Sequence, residues 1–159
     1  MSPYLKFAAM IATSAVIMFA LMYLNTYAWD HVYWSETRVF MTFIIAAGMI
    51  VVMLSFMLDM YKNMAVNLGI YAFAAILFVA GIVLVRSQTT VHDVAWMEAM
   101  IPHHSIAILT SERAKISDPR VRKLADGIID AQRKEIAEMK ALIADLNGGR
   151  KATPEIDGK

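Results

Sequence analysis

The first part of the chain contains three long stretches without a charged residue. Residues 7–29, 39–58 and 63–85 hold no Asp, Glu, Lys or Arg, and about 20 apolar residues are enough for a helix to cross a bilayer. Charge returns only in the connections, at Asp30, Glu36, Arg38, Asp59 and Lys62. The pattern predicts three transmembrane helices over these ranges, within a transmembrane domain of residues 1–86, and a lipid bilayer as partner.

A cleaved signal peptide is the alternative interpretation of the first stretch. Its basic region would consist of Lys6 alone, its apolar run is long, and two further stretches follow. Aromatic residues crowd the first connection as they do at membrane interfaces: Tyr23, Tyr27, Trp29, Tyr33 and Trp34. Three retained spans are therefore the favoured interpretation.

Three spans place the first connection and the carboxy-terminal segment on the same side of the membrane. His31, His92, His103 and His104 then share one compartment. Lys6 and Lys62 would face the cytoplasm in one orientation, with Arg38 on the other side, and this small difference favours a cytoplasmic amino terminus.

A helical hairpin is predicted over residues 87–149, with a flexible tail at 150–159. Thr90 and Asp93 resemble the start of a helix that runs to about Lys115. Pro102 lies inside it, and proline removes a backbone donor and clashes with the preceding turn. We therefore expect a kink or a short break at that point.

The second helix of the hairpin has clear start and stop signals. Asp118 is suited to cap it, Pro119 suits the first helical position, and residues 147–149 supply the stop. A helical wheel collects one apolar stripe from Val121, Leu124, Ile128, Leu142 and Leu146. Gln132, Glu135 and Met139 fall inside that stripe. A hydrogen-bonded polar layer that fixes helix register is one explanation, and a binding site is the other.

One face of the first hairpin helix is rich in metal-ligand chemistry. Within about 140° of the wheel it collects His92, Asp93, Trp96, Met97, Met100, His103, His104 and Ala107. Imidazole and thioether together suit copper, and methionine favours the cuprous ion in particular. The alternative is that the histidines form hydrogen bonds and the methionines fill the core.

Composition excludes several other classes of function. The chain of 159 residues has no cysteine and a net charge of +1, so disulfides, thiolate metal sites and a basic field for nucleic acid are excluded. No H-E-x-x-H or paired Glu-x-x-His spacing is present for zinc or di-iron chemistry. No phosphate loop or nucleophile elbow stands out, so we expect no enzyme.

A second methionine pattern lies in and after the second predicted span. Met49, Met53, Met57, Met60 and Met64 recur every three or four residues. A path for a soft metal through the membrane is one hypothesis for this stripe. Methionine is also common filler in apolar helices.

The carboxy-terminal segment resembles a known family over about residues 91–146. The sequence M-I-P-H-H at residues 100–104 is followed some thirty residues later by Gln132, Glu135-Ile136 and Met139. This pattern is similar to the bacterial domain-of-unknown-function family 305, and the chain resembles a membrane-anchored branch with three amino-terminal spans. The resemblance implies a ferritin-like helical element in exported or membrane-attached bacterial proteins, some of them associated with copper binding and tolerance.

Two departures from the family pattern bear on the site. Ser105 stands where glutamine or another polar residue is frequent, and Thr110 where many relatives have methionine. The second departure implies the loss of a sulfur if that methionine is a ligand elsewhere. Some relatives also carry two copies of the helical pair, so four helices would here require a dimer, and we expect a homodimer or a higher homo-oligomer.

The sequence therefore predicts an all-α protein: three transmembrane helices followed by an extramembrane hairpin of ferritin-like type. Its predicted function is copper binding, buffering or hand-off to a copper-handling protein, at the bacterial inner membrane, with the hairpin in the periplasm. The expected ligands are Met97, Met100, His103, His104 and Met139, with His92, Asp93 and Glu135 as second candidates. Glu135 and Gln132 are expected to orient a histidine, and His31 to close the site from the first connection. The alternative is a structural or regulatory membrane protein without metal, which forms helical dimers or binds another membrane subunit.

Overall fold

The computed structural model describes residues 2–148 of the chain, and this part is all-helical. Five α-helices are present within it: α1 (Pro3–Leu21), α2 (Glu36–Phe56), α3 (Met64–Ser87), α4 (Asp93–Arg113) and α5 (Pro119–Leu146). A short 3-10 turn at Trp29–His31 lies between α1 and α2. The predicted all-α class is confirmed, whereas the predicted tail at 150–159 lies outside the described residues.

The chain divides into two compact units, and the division does not follow the chain order. Residues 2–22 and 36–91, which hold α1 to α3, form the first, here called the apolar unit. Residues 23–35 and 92–148 form the second, the polar unit, so the connection between α1 and α2 clusters with α4 and α5. A chain with three spans brings these two segments to the same side of a membrane, as the sequence indicates.

All three helices of the apolar unit are long and apolar enough to cross a membrane. Their bounds differ from the uncharged stretches, most clearly at α1, which ends at Leu21 and not near residue 29. The backbone turns at residues 22–25, and the segment that follows belongs to the polar unit. The absence of charge in residues 22–29 therefore does not mark a continuing helix.

Tyr4 fastens the start of α1 to the connection between α2 and α3. Ser2 caps α1 by accepting a hydrogen bond from the amide of Leu5. Two residues after Ser2, the Tyr4 hydroxyl donates to Oδ1 of Asn67 at 2.9 Å, and the buried Asn67 amide donates to the carbonyl of Tyr61 at 2.7 Å. The only buried amide side chain of this apolar unit is thus satisfied, and the start of α1 lies at the same end as the α2–α3 connection.

Small residues allow α2 and α3 to pack closely. A Cβ atom built on Gly81 would lie 2.7 Å from Cγ1 of Ile44 and 3.2 Å from the carbonyl oxygen of Phe40. Ala47 and Ala74 are also buried. Close approach through small residues is how apolar helices gain packing energy where the surroundings are equally apolar.

The methionine stripe of the second span does not continue as one helical face. Met49, Met53 and Met57 are partly buried against the core of the apolar unit. Because α2 ends at Phe56 and the chain then turns, Met60 and Met64 are exposed. The described structure therefore does not join the five side chains in a single buried row.

Both helices of the polar unit form near the predicted positions. The helix α4 begins after His92, not at Thr90. It continues through the buried Pro102 without the short break expected there. The start of α5 matches the prediction, since Asp118 accepts a hydrogen bond from the amide of Arg120 at 2.8 Å. Its end also matches, because Asn147 is the C-cap.

The contact between α4 and α5 is centred on isoleucine. On α5, Ile129, Ile136 and Ile143 are buried at intervals of seven residues, which is the heptad spacing of two helices packed along a seam. On α4, Ile101 and Ile108 have the same spacing and are fully buried. The buried face predicted for α5 is therefore wrong. The residues predicted to form it are all exposed: Val121, Leu124, Ile128, Leu142 and Leu146.

Candidate metal site

His104 is the histidine that the structure brings to the seam between α4 and α5. Its Nε2 lies 2.7 Å from Oε2 of Glu135 on α5. Its Nδ1 lies 3.0 Å from the carbonyl oxygen of Met100, one turn back on α4. Gln132 donates from Nε2 to the same Glu135 oxygen at 3.2 Å. The three side chains form a polar layer across the two helices.

These contacts orient the imidazole. A carbonyl oxygen only accepts hydrogen bonds, so Nδ1 of His104 carries a hydrogen and donates it to Met100. Nε2 faces Oε2 of Glu135 at 2.7 Å, and because a carboxylate oxygen also accepts, a proton lies in this contact and must leave before Nε2 can ligate a metal. A histidine that ligates a metal is normally fixed in this way by a hydrogen bond from its other nitrogen. The His104 side chain is 12% exposed and that of Glu135 50%, so the layer is reachable from solvent on the Glu135 side.

Two thioethers lie one helical turn from this layer. The helices run antiparallel, and the His104–Glu135 contact sets their register. Moving four residues back on α4 and four residues forward on α5 reaches Met100 and Met139, which are therefore level with each other, about 6 Å along the axis. Met139 is buried in the core of the polar unit, and Met100 packs against that core.

The other predicted ligands lie at varying distances from this layer. Met97 is buried in the same core as Met139, one turn beyond Met100. His103 is exposed, with its ring centroid 6.1 Å from that of His104. His92 and Asp93 are exposed at the start of α4, about 17 Å along the helix from His104. The structure thus brings together four of the eight predicted residues and leaves His92 and Asp93 apart.

The donors in the seam fit a soft metal ion better than a hard one. Within residues 2–148 no group of three or more His, Cys, Asp or Glu side chains is placed to hold an ion. An ion at His104 and Glu135 would thus need the thioethers of Met100 and Met139 to complete its coordination. Thioether sulfur favours copper, and Mg²⁺ and Ca²⁺ prefer oxygen.

A second polar cluster, centred on Ser105, joins the first connection to α4. The Ser105 hydroxyl accepts a hydrogen bond from the amide of Tyr27 at 2.6 Å and lies 3.0 Å from Nδ1 of His31. Ser105 is fully buried, so this hydroxyl is a structural partner of the connection and has no access to a substrate. The Nδ1 atom of His31 thus faces Ser105, which follows His104 in the sequence.

Asp30 and Lys140 fasten the same connection to α5. The Lys140 ammonium donates to Oδ2 of Asp30 at 2.6 Å, and this hydrogen bond lowers the pKa of Asp30. Burial lowers the pKa of His31, and the nearby charge of Lys140 acts in the same direction, against the opposing effect of Asp30. At neutral pH both shifts favour an ionised Asp30 and a neutral His31.

The roles of Ser105, Asp30 and Lys140 in holding the connection were not predicted from the sequence. One signal for Ser105 is its position between Ile101 and Ile108, on a face that is otherwise apolar. A buried serine on such a face needs a partner from outside the helix or from the preceding turn. The pairing of Asp30 with Lys140 links residues 110 positions apart and leaves no local pattern.

The structure thus defines a class of protein: an all-helical chain with three membrane-length helices and a separate polar unit built on an antiparallel helix pair. Comparison with known families adds that the model described as "Domain of unknown function (DUF305)" matches residues 83–154. Residues 83–154 of the chain thus belong to the DUF305 family, and the resemblance seen in the sequence is confirmed for this segment.

Two further comparisons complete the picture. A protein of Acanthamoeba polyphaga mimivirus that is described as uncharacterized is 33% identical over 102 residues, which cover 60% of this chain and 67% of the viral protein. No solved structure matches the chain.

Proposed function

We propose that this chain is a membrane-anchored copper-binding protein, in which the α4–α5 seam binds the cuprous ion for buffering or hand-off without catalytic turnover. The observation that carries the proposal is the contact between His104 and Glu135 at 2.7 Å, with Met100 and Met139 one turn away. Imidazole and carboxylate donors from two helices thus meet in the seam, and two thioethers lie one helical turn from them.

The proposed roles follow from the positions of the side chains. His104, Met100 and Met139 are the proposed ligands, because they share the seam. Glu135, which accepts a hydrogen bond from Gln132, is a further proposed ligand or orients His104. His103 and Met97 are the next donors in reach, on the exposed and buried sides of the layer respectively. His92 and Asp93 would belong to a separate, weaker contact at the start of α4.

The proposed location follows from the three membrane-length helices. We place the amino terminus in the cytoplasm of a bacterium and the polar unit in the periplasm, in a membrane-anchored branch of the family. There a copper-handling protein would deliver or collect the ion. A homodimer would bring two seams together, and the exposed leucines at positions 124 and 142 of α5 support such a contact.

Anaerobic titration with cuprous ion against a competing chelator tests the proposal. The full chain in detergent should bind close to one ion. His104→Ala should lower the affinity by about tenfold to a hundredfold or more, since loss of an orienting partner alone typically has that effect. His103→Ala is the matched control, because its exposed ring lies outside the seam, and it should lose less. Equal affinities for the wild type and His104→Ala would overturn the proposal.

The methionines give a second, independent comparison. Leucine has nearly the volume of methionine and no sulfur, so Met100→Leu and Met139→Leu preserve the packing and remove a donor. Each should weaken cuprous binding. Met41→Leu, on the exposed side of α2, should not. The same affinity in all three variants would show that thioethers in the seam do not bind the ion.

One observation favours a second candidate, a structural polar layer without metal. Both ring nitrogens of His104 already have hydrogen-bond partners, Met100 and Glu135. Such a layer would fix the register of α4 on α5. It predicts that His104→Ala lowers the melting temperature equally with and without copper. A copper-dependent rise in the wild type, absent in the variant, would contradict it, because a ligand that binds only the folded state stabilises that state.

A further inference from the structure

We propose that the polar unit binds the headgroup of an anionic phospholipid in a cavity between the first connection and the carboxy-terminal end of α4. This headgroup cavity has a volume of about 200 Å³ and is lined by Tyr23, Thr26, Tyr27, Trp29, Leu109 and Arg113. Pockets that enclose drug-sized ligands measure about 300–1,000 Å³. The headgroup cavity is thus of a size for a phosphate and the glycerol carbons beside it.

The lining has the chemistry of the region where lipid headgroups meet acyl chains. Arg113 is exposed in the last turn of α4, and its guanidinium presents the planar pair of donors that matches a phosphate. Tyr27, Trp29 and Leu109 supply apolar and aromatic walls. Tyrosine and tryptophan concentrate at the membrane interface because their rings are apolar and their edges are polar.

Chain connectivity keeps this cavity close to a bilayer. Tyr23 follows the end of α1 at Leu21 by two residues, and two residues of extended chain span at most about 7 Å. Helix α1 is long and apolar enough to cross a membrane. In the proposed membrane arrangement, the carboxy-terminal end of α1 lies at the bilayer surface. The cavity wall formed by Tyr23 is then within reach of the headgroups.

Exposed aromatic residues on the same connection support a lipid ligand. Trp29 is 84% exposed and Trp34 is 60% exposed. Leu24 is exposed as well. Large apolar side chains that protrude together from a short connection mark an interaction surface, and a connection between two membrane-length helices has the bilayer interface as its nearest apolar surface.

The cavity is independent of the proposed copper site. No cavity-lining residue is a proposed ligand, and the lipid proposal concerns the connection and the end of α4. A chain that does not bind copper could still bind the lipid, and a chain that does not bind the lipid could still bind copper.

Fluorescence of Trp29 tests the proposal in the full chain in detergent. The chain has three tryptophans, so replacing Trp34 and Trp96 with Phe leaves Trp29 as the reporter. Phosphatidylglycerol with brominated acyl chains should quench it at a concentration about fivefold lower than phosphatidylcholine with the same chains, since one basic residue near an anionic lipid contributes roughly that factor. Circular dichroism checks that the background variant keeps its helices.

Variants at Arg113 identify the cation. Arg113→Gln should remove the preference for phosphatidylglycerol, and Arg113→Lys should keep most of it. Arg120→Gln is the matched control, because Arg120 is an exposed arginine that pairs with Asp118 at the start of α5, and it should keep the preference in full. Arg113 is exposed, so these substitutions are expected to leave the fold intact.

Three results would overturn the proposal. Equal quenching by the two lipids would show that no anionic headgroup is selected. A preference that survives Arg113→Gln would place the selection elsewhere. Full competition by inorganic phosphate at the concentration of the lipid would assign the cavity to free phosphate and not to a lipid.

Discussion

Helices α3 and α5 both expose large apolar side chains, but the residues around those side chains differ. On α3, Ile76 is 68% exposed and no charged residue occurs between positions 63 and 85. On α5, Leu124 is 65% exposed and lies between Lys123 and Asp126 in a helix with many charges. Similar exposure therefore has a different meaning in the two units. The exposed side chains of α3 form a surface suited to lipid, whereas those of α5 lie beside the buried isoleucine face of an amphipathic helix.

The two units also differ in what holds them together. The apolar unit depends on close packing of small residues and one satisfied amide, whereas the polar unit combines an isoleucine seam with hydrogen bonds that cross it. Substitutions that act on packing should affect both units. Substitutions of polar groups and changes of pH should act mainly on the polar unit.

The largest expected effect is the loss of a seam isoleucine. Ile108 is fully buried, so Ile108→Ala should destabilise the polar unit by about 2–5 kcal/mol. Ile128→Ala, at an exposed position of α5, is the control and should cost far less. Hydrogen exchange of the α4 and α5 amides measures the difference. A larger loss for Ile128→Ala would show that the exposed stripe is the true contact.

The next effect concerns the apolar unit. Gly81→Leu would push a side chain into Ile44 and the Phe40 carbonyl, and overpacking of this kind costs about 1–3 kcal/mol. Gly69→Leu is the matched control, since nothing lies within 4 Å of a Cβ at that position. Unfolding in detergent, followed by circular dichroism, compares the two variants. Equal stabilities would refute the close approach of α2 and α3.

Removal of the Ser105 hydroxyl should loosen the first connection. Ser105→Ala leaves the Tyr27 amide and the His31 ring without their partner, at a cost of about 1–2 kcal/mol. Thr110→Ala, whose exposed hydroxyl bonds only within α4, serves as control. Faster hydrogen exchange at Tyr27 in Ser105→Ala alone is expected. Unchanged exchange would mean that Ser105 does not hold the connection.

The smallest effect is a dependence of stability on pH. Burial and Lys140 lower the pKa of His31 below its ordinary value of 6.5, so the unfolded chain binds this proton more tightly than the folded chain. Stability is therefore complete above about pH 6.5 and falls as the pH decreases through the lower, folded pKa. His31→Gln should flatten the decline between pH 7 and 5, and His92→Gln, at an exposed residue, should not. A decline that is the same in all three proteins would contradict this role of His31.

The sequence predicted the elements of this fold well because their signals are local. Uncharged stretches indicated α1 to α3, and Asp118 and Pro119 marked the start of α5 through contacts within a few residues. The end of α1 was misplaced because uncharged residues occur in a turn as readily as in a helix. The break expected at Pro102 does not occur, and this buried proline lies inside a continuous helix.

The candidate site was predicted in part. The helical wheel of α4 predicted the side that packs against α5, which includes Met97, Met100 and His104. The predicted face was centred on residues that can bind a metal, and it therefore also included the exposed His103 and Trp96. The seven-residue spacing of Ile129, Ile136 and Ile143 would have given the correct centre on α5. The partners of the first connection were not predictable, because they are distant in sequence and follow no periodicity.

X-ray absorption of the full chain loaded with one equivalent of cuprous ion tests the central claim most directly. The account predicts scattering from both imidazole nitrogen and thioether sulfur. His104→Ala should remove the nitrogen contribution, and the double variant Met100→Leu/Met139→Leu should remove the sulfur. A spectrum without sulfur, or one that these substitutions leave unchanged, would contradict a copper site in the seam between α4 and α5.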